Sequence, residues 1–119
     1  MEKNYLIHGP VSKEIISKLI ERMGVQTDCG GHMFFLGQVR ADEIDGKKVK
    51  AIEYSAYEEM VFAVAEKIKK TILSEFEDAK SVEIFHSTGV VNAGEISLLV
   101  FVWLVTGSRL CWPAVKQLN

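Results

Sequence analysis

The stretch Gly31-His32-Met33-Phe34-Phe35-Leu36-Gly37-Gln38-Val39-Arg40 decides how the chain is read. Met33, Phe34, Phe35, Leu36 and Val39 supply the apolar and aromatic bulk of a pleated, buried strand. Gly37 interrupts that run three residues before Arg40, and a glycine inside a strand marks a bulge or a close approach by another backbone or a ligand. The next segment, Ala41 to Lys48, is polar and carries a turn signal at Asp45-Gly46. Arg40 is therefore expected where buried strand meets exposed loop, a position suited to a cation that meets an anion. The alternative reading of the same residues is a solvated surface arginine paired with Asp42 or Glu43.

On the N-terminal side, Tyr5-Leu6-Ile7-His8 reads as a short strand ended by Gly9-Pro10. Ser12 is a credible N-cap for a helix with Ile15, Ile16, Leu19, Ile20 and Met23 on one face and Gly24 closing it. On the C-terminal side, Val49, Ile52 and Tyr54 belong to a partner strand ending near Ala56. Tyr57 to Phe76 is the clearest helix, with Met60, Val61, Val64, Ala65, Ile68, Ile72 and Phe76 on its apolar face. Glu66, Lys67, Lys69 and Lys70 are expected on the opposite side. Ser81 to His86 reads as a strand, Asn92-Ala93-Gly94-Glu95 as a turn, and Ile96 to Val105 as a nearly continuous apolar strand. The order β-α-β-β-α-β-β predicts an α+β fold on a mostly antiparallel sheet with two main helices.

A chain of 119 residues is expected to form one domain, 1–119. Its 48% hydrophobic and 25% charged residues suit a globular domain with a genuine core. A net charge of −2 argues against general nucleic-acid binding, which calls for a basic stripe. Cys29 and Cys111 match no metal spacing, so no metal site is expected and reduced thiols are the simplest reading. The start, Met1-Glu2-Lys3-Asn4-Tyr5, lacks the apolar core of a signal peptide, and Leu98 to Val105 is too short to cross a bilayer. A cytoplasmic protein with no membrane association is the expectation.

No Ser-His-Asp, phosphate-cradle or zinc pattern is present. The polar candidates are Arg40, His32, His86, the Tyr54, Tyr57 and Glu58 group, and Lys116. His86, just before Ser87-Thr88-Gly89, reads more readily as a structural residue than as a catalytic one, and His32 beside Gly30-Gly31 reads as a surface residue with no role.

Taken in order, these pieces resemble the catalytic (large) subunit of molybdopterin synthase. The family's Phe-x-Gly-x-Val-Arg is matched by Phe35, Gly37, Val39 and Arg40. Its Glu-Tyr-x-x-Tyr-x-x-Met at the opening of a long helix is matched by Glu53, Tyr54, Tyr57 and Met60. A His before a Gly turn falls on His86 and Gly89, and a Gly-Glu entering an apolar strand on Gly94 and Glu95. The resemblance implies an α/β-hammerhead-like fold and an enzyme of molybdenum cofactor biosynthesis with no cofactor of its own. It would move sulfur from a thiocarboxylate on the Gly-Gly tail of a small ubiquitin-like partner to a cyclic pyranopterin monophosphate, making the molybdopterin dithiolene. It further implies a homodimer within a heterotetramer. Arg40 would then bind the substrate phosphate, since its planar fork meets two oxygens at once. Gln38 and Val39 would line the same wall through their backbone. Phe35, Gly37 and Met60 would support the pocket, with Phe35 packed beneath Arg40.

After Val102 the agreement stops. The family continues with a His-Arg pair, due here at Thr106 and Gly107, then with a helix bearing one lysine and a segment bearing a second. Those lysines are expected to do the chemistry. Pro113-Ala114-Val115-Lys116 arrives too early for that role, so the catalytic residues are unassigned. A shifted reading frame from the codon for Trp103 permits a His-Arg pair in register; a naturally divergent tail is the alternative. Either way the chain is expected to lack the C-terminal helix and lysine segment and to turn over little or not at all. The competing functional class is a non-catalytic binding module that keeps the partner groove or dimer surface.

Overall fold

The computed structural model describes residues 3–55 and 58–105. Its elements are β1 (Lys3–His8), α1 (Lys13–Met23), β2 (Gly31–Gln38), β3 (Glu43–Ile44), β4 (Lys47–Lys48), β5 (Ala51–Tyr54), α2 (Glu58–Glu75), β6 (Ala79–Asn92) and β7 (Ile96–Leu104). The main sheet runs β1-β6-β7-β2, with β5 also paired to β6. Among the described residues the β1–β6 ladder is the only parallel one; β2–β7, β6–β7 and β5–β6 are antiparallel. The architecture is α+β, as the patterning predicts.

The two helices cover opposite faces of the sheet. Leu99, Phe101 and Trp103 of β7 join Phe85 and Val11 against Leu19, Ile15, Ile16 and Met23 of α1. The intervening Val100, Val102 and Leu104 join Val82 and Ile84 against Ala65, Ile68, Ile72 and Leu73 of α2. A strand buried on both faces has no polar side to show, which is why 98–104 reads as unbroken apolar sequence. Trp103 and Leu104 pair with His32 and Gly31. The strand thus runs two residues beyond the point where the sequence departs from the family pattern, and both side chains are buried.

Several details differ from the sequence reading. The loop after Arg40 forms its own ribbon, β3–β4, around Asp45 (φ 52°) and Gly46 (φ 78°). Successive positive φ angles make this the tight hairpin turn that Asp-Gly favours. The partner of β5 is β6, not β2. β6 does not stop at His86 but continues to Asn92. It passes through Gly89 at φ 80°, where an added Cβ would lie 2.9 Å from the His8 ring. That glycine marks a close approach of two strands instead of a turn.

α2 is also rotated relative to its expected apolar face. Met60 is 62% exposed and Val64 faces solvent, whereas Lys69, expected outside, is buried with its ammonium 3.6 Å from Glu66. A long aliphatic stem lets lysine occupy such a position while its charged end keeps a partner. Tyr57, Cys111, Lys116 and the positions due for the His-Arg pair lie outside the described residues.

Candidate functional site

The Arg40 end of β2 is built by a bulge. Register shifts between Gly37 and Gln38, where Gly37 pairs with Leu98 but Gln38 pairs with Ile96. A Cβ on Gly37 would stand 3.1 Å from the Leu98 Cβ, so the glycine is needed for the close approach. Beyond the bulge Val39 is buried. Its N–H donates to the Glu95 carbonyl at 2.9 Å and its carbonyl accepts from the Gly94 N–H at 2.8 Å. Both polar backbone groups of Val39 are therefore engaged, and the residue acts as a strut that holds Arg40 instead of offering donors to a ligand. The Gly94-Glu95 turn is locked in turn by the Glu95 carboxylate, which accepts from the Asn92 N–H at 2.8 Å.

Arg40 itself projects into solvent, its side chain 85% exposed. The guanidinium pairs with Asp42, Nε to Oδ1 at 2.7 Å and a terminal nitrogen to Oδ2 at 3.2 Å. That hydrogen bond, more than the accompanying Coulomb attraction, raises its pKa still further. The surface pairing offered as the alternative is the one present, and Arg40 lines neither the cavity beside Phe35 nor the one beside Glu83. Gln38 is exposed beside it. Phe35 is 61% exposed and lines a cavity of about 170 Å³ with Met33, Phe34, Ile72, Phe76, Val100 and Val102, away from Arg40. Met60, exposed at the start of α2, lines neither cavity.

The remaining candidates fall into separate places. The Tyr54 hydroxyl donates to Ser97 Oγ at 3.1 Å, and its ring meets His86 edge-on at 5.3 Å. His86 Nδ1 lies 2.7 Å from the Ser87 carbonyl. This ties β5, β6 and β7 together and supports a structural role for His86. His32 stacks on Phe101 at 5.5 Å and meets Trp103 edge-on at 5.0 Å. Burial lowers its pKa, which favours the neutral ring.

Sequence reasoning missed the most buried ionic group. Glu83, on β6, is 2% exposed, and one carboxylate oxygen accepts from both Arg22 and the Trp103 indole N–H, the latter at 2.8 Å. The Arg22 guanidinium also lies 5.6 Å from the centroid of the Trp103 ring. The available signal was a lone charge among the apolar residues of Val82-Glu83-Ile84-Phe85. No group of three or more His, Cys, Asp or Glu side chains among the described residues could hold a metal ion. No helix among them is long and apolar enough to cross a membrane.

Comparison with known proteins places this geometry. The chain is similar to the molybdopterin synthase catalytic subunit of Dictyostelium discoideum, 39% identical over 86% of this chain and 65% of the relative. It is 32% identical to that of Drosophila grimshawi over 76% of this chain and 25% of the relative. The chain thus spans less than two thirds of the length of these relatives. Among solved structures, the complex of subunits 1 and 2 of the molybdopterin-converting factor of Helicobacter pylori 26695 shares the fold, with a TM-score of 0.63 and 19% identity. That match covers 87% of this chain and 66% of the other. Molybdopterin synthase from Staphylococcus aureus matches at a TM-score of 0.63 and 22% identity, over 85% and 69% of the two chains. The family model described as MoaE protein matches residues 8–108, nearly the whole described chain, and the chain belongs to the MoaE family.

Proposed function

We infer that this chain is the catalytic-subunit component of a molybdopterin synthase in molybdenum cofactor biosynthesis. Its reaction moves sulfur from the thiocarboxylate of a small ubiquitin-like subunit to a cyclic pyranopterin monophosphate. The observation that carries this reading is the family match over residues 8–108, which takes in every motif from Phe35 to Glu95. The geometry adds a physical role for Arg40. A rigid backbone strut at Val39 holds a guanidinium in solvent with one exposed carboxylate as partner. Exposed ion pairs contribute little to stability, so a phosphate dianion can displace Asp42 at small cost. Gln38 stands beside it as a second substrate contact. The small subunit and a second copy of the chain complete the assembly, and the exposed Met33 and Phe35 on edge strand β2 are apolar surface available for such contacts.

These 119 residues carry no match to the family's lysine segment, so the transfer chemistry is tested with that segment supplied. Replacing residues 103–119 by the corresponding longer C-terminal region of the Dictyostelium relative is the test. The chimera, given thiocarboxylated small subunit and pyranopterin, should form molybdopterin. A chimera that binds both and stays inert would favour the binding-module reading.

A further inference from the structure

The Glu83 carboxylate uses only one of its oxygens among the described residues. That oxygen serves Arg22 and Trp103, while Oε1 is buried with no hydrogen-bond partner among those residues. A buried carboxylate oxygen left so is costly unless something arrives to donate to it. Glu83 lines a cavity of about 300 Å³ between the end of α1 and the sheet, together with Arg22, Val25, Gln26, Lys80 and Trp103. That volume is at the small end of the range for organic-ligand pockets.

The lining dictates the ligand. Arg22 and Lys80 disfavour a cation, although Lys80 is itself paired with Asp28 at the rim. Glu83 disfavours an anion. The amide of Gln26 and the Lys80 ammonium can donate to a carbonyl, Val25 and Trp103 offer apolar surface, and Oε1 requires a donor. A neutral planar ring with an N–H beside a C=O satisfies all of these at once. We propose that this cavity is a binding site for a lactam-type heterocycle, its N–H donating to Glu83 Oε1 and its carbonyl facing Lys80 and Gln26. The site is separate from Arg40. The cavity lies at the Gly31 end of β2, and seven residues of extended strand put about 23 Å between that end and Gln38.

Pterin without a phosphate is the probe, because it carries the lactam edge and gives Arg40 nothing to bind. Calorimetric titration of the full chain should show saturable one-site binding. Glu83→Gln should weaken it at least tenfold. Arg22 and Trp103 both donate, so they hold the amide oxygen and turn the amide N–H₂ toward the ligand's donor, replacing an acceptor by a second donor. Val25→Trp, at a position 78% exposed and outside the core, should obstruct the cavity without unfolding the protein and weaken binding similarly. Arg40→Ala should leave it unchanged, which keeps this proposal distinct from the phosphate reading above. No saturable binding by the wild type, or equal binding by Val25→Trp, means the cavity holds water only and overturns the proposal.

Discussion

The molecule carries two arginine–carboxylate pairs in opposite circumstances. Arg22 meets Glu83 where the carboxylate is almost wholly buried, whereas Arg40 meets Asp42 with both side chains in water. The sequence distance differs as much, 61 residues against two. Burial makes the first pair hard to break, because removing either partner strands a polar group in a dry environment. Solvation leaves the second free to exchange partners, as the phosphate-binding role proposed for Arg40 requires.

The sharpest way to break this contrast is to remove each arginine in turn. Arg22→Ala should lower stability by about 3 kcal/mol, because it leaves a buried carboxylate with only the indole N–H. Arg40→Ala should leave the urea midpoint unmoved. Glu83→Ala should cost less than Arg22→Ala, about 1–3 kcal/mol, since it strands a neutral N–H while Arg22 turns to water. Equal midpoints for the two arginine variants would erase the distinction.

A smaller effect tests the bulge that carries Arg40 clear of the sheet. Gly37→Ala must push the Leu98 side chain by a few tenths of an ångström. It should cost about 1–2 kcal/mol by overpacking, read as a lower melting temperature.

The smallest effect concerns His32, packed on the Trp103 ring that Glu83 anchors. Its folded pKa is lowered by burial, so the unfolded chain binds the proton first as pH falls. Stability is then complete above the ordinary histidine value of about 6.5 and declines as pH drops below it towards the lower folded value. His32→Phe should flatten urea midpoints across that window. An unchanged slope would assign the pH dependence elsewhere.

Local chemistry made much of this legible. The Asp45-Gly46 turn, the bulge at Gly37 and the α1 face follow from residue types acting on their own neighbours, except that Ile20, expected on that face, is exposed. The path of β6 past Gly89 did not, because Ser-Thr-Gly reads as a turn until the His8 ring is known to press on that backbone. Nor did the rotation of α2: Met60 and Lys69 trade expected places because the sheet chooses which face to cover. The position of Arg40 between strand and loop was legible, but its exposure depends on the Gly94-Glu95 turn that holds Val39. Glu83 went unnoticed because a single charge in an apolar strand carries no spacing pattern; its partners come from α1 and β7.

The central claim is that the solvent-facing arginine is kept free to take a phosphate. Titration of cyclic pyranopterin monophosphate into the wild type and into Arg40→Ala, with small-subunit binding followed in parallel, tests it directly. The variant should lose the ligand at least tenfold and keep the partner. Undiminished binding of the phosphate ester by Arg40→Ala would contradict it.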